Sequence, residues 1–219
     1  MVVPTNPKIY HIVHVDRLLS IVNTGHLLCD EEVARQQLSG TTIGMEKIKQ
    51  RRQSKLVRAD PDISVSDCTP FYFCPRSVML YVICKANHPS LLYKGGQNSI
   101  VHLEADLHKS VEWAEGSSLH WAFTAINATS KSAEFYTSLD KLDKINWNAV
   151  STNYWESEQD DKQAEFLVEN RFPWELVSSI GVLTAEIQTQ VEGILSDAVA
   201  MLGQPSVHKP VFCKPEWYY

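Results

Sequence analysis

The order of strand-like and helix-like segments is the feature that most constrains how this chain can fold. Apolar residues alternate with polar ones at the start of the chain and form short buried runs later, as they do in β-strands, while a helical period is clearest over residues 185–202. The predicted strands are residues 9–15, 26–29, 99–106, 120–124, 164–169, 180–184 and 207–213, with a further strand starting at 70. Because these segments do not alternate as β–α–β units, we predict an α+β fold with a mixed or antiparallel sheet and flanking helices.

Local signals place several ends of these segments. Asp16 is predicted to cap a helix that ends at Gly25, and Ser77 to cap a helix that follows a strand broken by Pro75. The polar segment 30–58 is predicted to hold one helix, over about residues 43–53.

Composition bounds the class of protein. With 219 residues, 44% of them hydrophobic, the chain suits one large domain or two small ones. It has no apolar run long enough for a bilayer and no charged and apolar leader, so we expect a cytoplasmic protein without a membrane partner. The five cysteines are scattered and form no Cys-x-x-Cys pair, so we expect reduced thiols and no metal site.

A basic segment lies between residues 47 and 58. It contains six Lys or Arg residues in twelve positions, although the whole chain has a net charge of −6. Such a segment suits an anion, either a nucleic-acid backbone or a dinucleotide, and the alternative is a solvated helix face. The chain has neither a Gly-x-Gly-x-x-Gly nor a Gly-x-x-x-x-Gly-Lys-Ser/Thr motif, so a bound nucleotide would be held by neither Rossmann nor P-loop geometry.

Five residues carry candidate chemistry. His11 lies on the first predicted strand and Tyr72 on a middle strand, on the face opposite to its two phenylalanine neighbours. Glu165 lies at the start of a late apolar strand. Upstream of it, the neighbouring residues Tyr154 and Trp155 suit stacking on unpaired bases. Each has an ordinary alternative, namely a structural histidine, a core aromatic, a charge in solvent and a loop anchor.

The order of the histidine, tyrosine and glutamate is the H-Y-E arrangement of ADP-ribosyltransferases. The chain resembles the DarT-type DNA ADP-ribosyltransferase toxins over nearly its whole length, most specifically at residues 70–81 and at Gln163-Ala164-Glu165. It departs from the family where Ala125 follows Phe123-Thr124, a position that is often Asp.

This resemblance implies a single domain over residues 1–219 with an ADP-ribosyltransferase fold and a split sheet. It also implies transfer of ADP-ribose from NAD⁺ to a base, thymidine above all, in single-stranded DNA, by the toxin of a toxin–antitoxin pair whose partner is a macrodomain protein. By this resemblance, residues 30–58 would bind NAD⁺ and residues 120–165 would form the loop that recognises the substrate. The catalytic residues would be Glu165 and Arg52. The NAD⁺-binding residues would be His11, Ile12, Val13, Ser20, Leu28, Arg52 and Tyr72. The DNA-binding residues would be Arg51, Arg76, Tyr154 and Trp155.

Two alternatives remain open from sequence. The first is an ADP-ribosyltransferase that acts on RNA or protein, and the second is a non-catalytic module that binds NAD⁺ or DNA. The net charge of −6 argues against broad nucleic-acid affinity and favours a narrow groove that reads a short motif.

Overall fold

The computed structural model describes residues 2–57, 60–155 and 158–219. In chain order its strands are β1 (Lys8–His14), β2 (His26–Leu28), β3 (Leu56–Val57), β4 (Asp60–Ser64), β5 (Cys68–Tyr72), β6 (Ile100–Asp106), β7 (Trp121–Thr124), β8 (Glu165–Glu169), β9 (Arg171–Pro173), β10 (Val177–Val182) and β11 (Val211–Cys213). Its α-helices are α1 (Leu18–Thr24), α2 (Asp30–Arg35), α3 (Glu46–Ser54), α4 (Val78–Lys85), α5 (Leu107–Gly116), α6 (Trp147–Ser151) and α7 (Ala185–Leu202).

Seven strands form one central sheet. Their order is β11-β10-β6-β1-β5-β8-β7, and the neighbours are antiparallel except for the parallel pair of β10 and β11. Two small ladders, β2 with β9 and β3 with β4, flank this sheet. The predicted α+β fold with a mixed sheet is confirmed.

The sheet is split between β1 and β5. These strands share one register pair, Tyr10 with Tyr72, whereas β1 pairs with β6 over seven residues and β5 pairs with β8 over five. One half of the sheet therefore consists of β11, β10, β6 and β1, and the other of β5, β8 and β7. The split leaves room for cavities beside the Tyr10–Tyr72 pair.

The main core covers one face of both halves. Phe71, Phe166 and Phe172 lie at its centre, with the Phe71 and Phe172 ring centroids 4.6 Å apart, and α1 and α7 pack over it. A smaller cluster around Ile12 and Leu80 holds α4 against the other face. Burial of this apolar surface is what holds the two halves of the split sheet together.

Several predicted helix ends are confirmed. Gly25 ends α1 with a φ of 71°, which glycine adopts without a steric penalty, and the Ser77 hydroxyl accepts a hydrogen bond from the Leu80 amide at 3.2 Å. The prediction for Asp16 was wrong. Asp16 lies inside a 3-10 turn, and its carboxylate accepts hydrogen bonds from the amide and hydroxyl of Thr41, because the chain brings a distant loop against it.

Other boundaries differ from the prediction. Segment 30–58 holds two α-helices rather than one, and its last residue, Arg58, lies outside the described residues. Helix α5 was not predicted, although Asp106 caps it at the Lys109 amide. The last strand starts at Val211 instead of 207, because a 3-10 turn occupies Pro205–Val207. The described part of residues 120–165 contains the predicted strand as β7, the helix α6, and 3-10 turns at Leu139–Lys144 and Asp161–Gln163.

No α-helix within the described ranges combines the length and the hydropathy that crossing a bilayer requires.

Candidate active site

A cavity of about 590 Å³ opens beside the split in the sheet, between β1, α1, β2, α2, α3 and β5. All seven residues predicted to bind NAD⁺ line it: His11, Ile12, Val13, Ser20, Leu28, Arg52 and Tyr72. They come from five separate elements, so the fold rather than local sequence brings them together. Their roles as ligand contacts stay predictions.

The three residues of the H-Y-E arrangement meet across adjacent strands. Tyr72 on β5 is the register partner of Tyr10, the residue before His11 on β1, and also of Glu165 on β8. Phe71 and Phe73 point into the main core, whereas Tyr72 lines the cavity, as strand alternation predicted.

Glu165 is a buried carboxylate with two partners. Its side chain is 2% exposed; Oε2 accepts a hydrogen bond from Arg52 Nη1 at 2.8 Å, and Oε1 accepts one from the Ala128 amide at 3.1 Å. The alternative of a strand-end charge in solvent is therefore wrong. Arg52 lines the cavity while Glu165 does not, so the guanidinium lies at the cavity wall and the carboxylate behind it.

Arg52 stays charged in this setting. Burial alone would lower the pKa of its guanidinium, but the adjacent Glu165 carboxylate, together with Tyr72 and Asp30, raises the pKa above the ordinary arginine value. A group with such a high pKa cannot accept a proton at neutral pH. It can stabilise a neighbouring negative charge.

His11 is held as a neutral ring. Its Nδ1 donates a hydrogen bond to the Pro70 carbonyl at 2.7 Å, and its ring packs 5.6 Å from that of Phe71. Burial lowers the pKa of His11, and the bond to Pro70 offsets only part of this effect. With its proton on Nδ1, the imidazole presents Nε2 as a hydrogen-bond acceptor.

Tyr72 remains a neutral phenol. Burial raises the pKa of its hydroxyl, and the nearby Glu165 carboxylate raises it further. A neutral aromatic ring in the cavity wall is suited to stacking on a flat ligand group.

A loop between α2 and α3 closes one side of the cavity through contacts that the sequence did not reveal. Arg17 donates from Nε to the Thr41 carbonyl and from Nη2 to the Gly40 carbonyl, both at 2.9 Å, and from Nη2 to the Thr42 hydroxyl at 3.2 Å. Asp16 binds Thr41 from the same turn. We call Asp16 and Arg17 the latch, because they fix a loop more than twenty residues away.

The basic segment is only partly solvated. Arg52 is paired with Glu165, Lys49 lies 2.8 Å from Asp30 of α2, and Lys55 donates to the Ser130 carbonyl at 2.7 Å. Lys47 and Arg51 are exposed on α3. The segment therefore joins α3 to its neighbours and places Arg52 and Lys49 in the cavity wall.

The residues predicted to contact DNA lie outside this cavity. Arg76 lines a second cavity of about 370 Å³, Arg51 is exposed, and Tyr154 is 91% exposed. Trp155 is 7% exposed and packs edge-on against Tyr81 at 5.2 Å, so stacking on a base would require its ring to leave these contacts. These roles stay predictions.

Within the three described ranges, no group of three or more His, Cys, Asp or Glu side chains is arranged to hold a metal ion. All five cysteines are free, and three of them are buried.

The split sheet and the cavity beside it define an ADP-ribosyltransferase. The chain belongs to the family described as "ssDNA thymidine ADP-ribosyltransferase, DarT", whose profile matches residues 10–219. It is thus a member of a family of NAD-dependent DNA ADP-ribosyltransferases, which favours an enzyme over a non-catalytic binding module.

Similar proteins agree with this assignment. A Thermus aquaticus protein named DNA ADP-ribosyl transferase is 35% identical over 217 residues, covering 99% of this chain and 90% of its own length. A Mycobacterium tuberculosis protein of the same name is 31% identical over 221 residues, covering 96% of this chain and 88% of its own length.

Solved structures are similar over the whole chain. The DarT of Thermus sp. 2.9 in complex with ADP-ribosylated ssDNA has a TM-score of 0.87 at 30% identity and covers 100% of this chain and 99% of its own. The same protein in complex with NAD⁺ has a TM-score of 0.83 at 29% identity, with 100% of both chains covered. Thermosipho africanus DarTG in complex with ADP-ribose shares the fold, with a TM-score of 0.71 at 19% identity over 97% of this chain and 51% of its own.

Proposed function

We propose that this protein transfers ADP-ribose from NAD⁺ to a thymidine base in single-stranded DNA and releases nicotinamide. The observation that carries the proposal is the cavity of about 590 Å³, whose wall holds every predicted NAD⁺-binding residue and the guanidinium paired with Glu165. Its volume is in the range of ordinary ligand sites. The Thermus sp. 2.9 relative has been observed with NAD⁺ and with ADP-ribosylated ssDNA, which supports the same pair of substrates here.

The cavity wall offers distinct contacts for the two ends of NAD⁺. Tyr72 would stack on the nicotinamide ring, and His11 Nε2 would accept a hydrogen bond from the amide or the adjoining ribose. Ile12 and Val13 would contact the same end through the β1 backbone. Ser20 and Leu28 lie on α1 and β2 in the same wall and would contact the rest of the dinucleotide.

The reaction breaks the bond between C1′ of the nicotinamide ribose and the pyridinium nitrogen. Nicotinamide leaves with the bonding electrons as a neutral molecule, and C1′ develops positive charge. The Glu165 carboxylate would stabilise this charge, an effect that is large where water is excluded. The thymine N3 then forms the new bond to C1′, and its proton is released to water.

Arg52 would act as an electrostatic group. Its pKa is raised by Glu165, so the guanidinium would stabilise the negative charge of the deprotonating base or the NAD⁺ pyrophosphate rather than accept a proton. Because Arg52 lies between Glu165 and the cavity, this role requires the guanidinium to turn toward the phosphates. That turn would give Glu165 access to the ribose.

The test is a transfer assay with NAD⁺ labelled in its adenylate part. Purified protein is incubated with single-stranded DNA, duplex DNA of the same sequence or the matching RNA. We expect one ADP-ribosyl group on thymidine-containing single strands, located on the base by mass spectrometry. Label on RNA or on protein alone would instead support the alternative substrates, and nicotinamide retained in all reactions would contradict the proposed chemistry.

We also propose that the protein is the toxin of a toxin–antitoxin pair and acts in the cytoplasm. Membership of the DarT family supports this role, with a macrodomain protein that removes the modification as the partner. Expression in a bacterial host should arrest growth, co-expression of an ADP-ribose-removing macrodomain should restore it, and the Glu165→Gln variant should be harmless. Arrest by that variant would mean that toxicity does not come from transfer.

A further inference from the structure

The last residue of the sequence, Tyr219, joins two segments that carry predicted DNA contacts. Its hydroxyl donates a hydrogen bond to the Arg76 carbonyl at 2.9 Å and accepts one from Trp155 Nε1 at 3.0 Å. Arg76 follows β5, whereas Trp155 follows α6. One hydroxyl group therefore ties both segments together.

The Tyr219 ring also contacts the charged end of Arg76. The guanidinium carbon lies 4.4 Å from the ring centroid, which is within the range of a cation–π interaction. Among the described residues, Arg76 Nε is buried and has no hydrogen-bond partner. The guanidinium is thus held against the Tyr219 ring, and Arg76 also lines the second cavity.

Tyr219 is itself firmly placed. Its amide donates to Gln97 Oε1 at 3.1 Å, and Gln97 Nε2 donates back to the Tyr219 carbonyl. The ring packs edge-on against Tyr81 at 5.1 Å, and Tyr81 packs edge-on against Trp155. Burial raises the pKa of Tyr219 to about 12, so the hydroxyl keeps the proton that it donates.

Lys162 holds the backbone segment that precedes Trp155. Lys162 is almost fully buried, and its Nζ donates to the carbonyls of Val150 and Thr152 at 2.6 and 2.7 Å. Trp155 itself is buried, while its neighbour Tyr154 is exposed. The segment is therefore held with one aromatic ring inward and one outward.

We propose that Tyr219 is a positioning residue for the DNA strand, which presents Arg76 to a backbone phosphate and orients Tyr154 toward a base. This inference rests on the proposed function, because it takes the second substrate to be single-stranded DNA. Arginine binds phosphate through several N–H groups in one plane, so its orientation decides the strength of the contact. The Tyr219 ring contacts the guanidinium, and the Tyr219 hydroxyl holds the Arg76 backbone from which that side chain extends.

The test is Tyr219→Phe, which keeps the ring but removes the hydroxyl that bridges Arg76 and Trp155. We expect the KM for a single-stranded oligonucleotide to rise by about 3- to 10-fold, the effect of one or two lost hydrogen bonds, with kcat nearly unchanged. Tyr219→Leu also removes the ring contact and should raise KM further. NAD⁺ affinity should stay within about twofold for both variants, because neither Tyr219 nor Arg76 lines the first cavity.

Tyr218→Phe is the matched control. The Tyr218 hydroxyl shares its proton between the carbonyls of Ile100 and Gly181 in the core, so its loss also costs buried hydrogen bonding but removes no hydrogen bond to Arg76 or Trp155. This control should lower the melting temperature without changing the KM for DNA. An equal rise in KM for both variants would overturn the proposal, because it would mean that general loosening causes the effect.

Coupling to Arg76 distinguishes positioning from a structural role. In an Arg76→Gln background, Tyr219→Phe should have less effect on KM than it has in the wild-type protein, because the group it positions is gone. Two results would refute this inference while leaving the proposed function intact. One is an equal effect of Tyr219→Phe on KM in the wild-type and Arg76→Gln backgrounds, and the other is an unchanged KM in Tyr219→Phe while the wild-type protein modifies DNA. Absence of DNA modification by the wild-type protein would refute the proposed function, so the two failures are separable.

Discussion

Arg52 Nη1 lies 2.8 Å from Glu165 Oε2, and both side chains are almost fully buried. The two residues are 113 positions apart in the chain, one on α3 and the other at the start of β8. The pair joins the segment predicted to bind NAD⁺ to the strand predicted to carry the catalytic carboxylate. This contact makes chemistry and stability depend on the same two side chains.

Glu165→Gln tests the chemical role of the carboxylate. Glutamine keeps the size of the side chain and its hydrogen bond from the Ala128 amide but removes the negative charge. Because that charge is proposed to stabilise the developing positive charge at C1′, we expect the rate of nicotinamide release to fall by at least about 100-fold. NAD⁺ binding, measured by calorimetry, should change by much less. A variant with more than a tenth of the wild-type rate would contradict this role.

Arg52→Met tests the energetic role of the same pair. The substitution leaves the Glu165 carboxylate buried without its cation, which should lower the free energy of unfolding by about 3–5 kcal/mol in urea titrations. The double variant Arg52→Met, Glu165→Gln removes the uncompensated charge and should recover most of this loss. If the double variant is as unstable as the single one, loss of packing rather than loss of charge pairing is the cause.

Local sequence patterns correctly predicted which way some side chains face and where some helices begin or end. Alternation on β5 put Tyr72 opposite Phe71 and Phe73, and Gly25 and Ser77 marked helix ends, because each of these signals acts within a few residues. The roles assigned to His11, Arg52 and Glu165 came from resemblance to a family. The structure adds that His11 and Arg52 line one cavity and that Glu165 is bonded to Arg52.

Long-range contacts lay outside the reach of the sequence. Asp16 resembled a helix cap, yet its partner is Thr41, and Arg17 showed no signal at all because its partners lie in a loop after α2. For Trp155 the sequence left stacking on a base and anchoring of a loop both open, and its burial depends on the distant Tyr219, whose hydroxyl it contacts. In each case the deciding partner is distant in the chain, so no local pattern could indicate it.

Arg17→Met tests the latch over the first cavity. The substitution keeps the length of the side chain but removes three hydrogen bonds to Gly40, Thr41 and Thr42, so the loop should spend less time in its closed position. We expect the KM for NAD⁺ to rise by about 10-fold, with the KM for DNA unchanged. Arg35→Met is the matched control, since Arg35 pairs with Glu32 on the exposed surface of α2 and should affect neither constant. Equal effects in the two variants would mean that the latch does not control the cavity.

His102 makes folding stability depend on pH. It is fully buried on β6, where its Nε2 donates to the Pro75 carbonyl at 2.9 Å and its Nδ1 has no partner within the described residues. Burial lowers the pKa of His102 from 6.5 to about 4, so between these values the unfolded chain binds a proton that the native protein does not bind. The free energy of unfolding should therefore be highest, with respect to His102, above about pH 6.5. It should fall by about 3 kcal/mol as the pH drops toward 4.

The measurement is urea unfolding across this pH range for the wild-type protein and for His102→Gln, which keeps a donor toward Pro75 but does not titrate. His11 also has a lowered pKa and remains in both proteins, so it contributes equally to both curves. We expect the acid loss of stability to be smaller in the variant by the share that His102 supplies. Parallel curves would show that His102 does not remain neutral in the folded state at pH 5. If the acid loss of stability disappears in His102→Gln, protonation of His102 is its cause. The turn at Pro75, which His102 bonds, and the adjacent Arg76 would then depend on the charge of this buried ring.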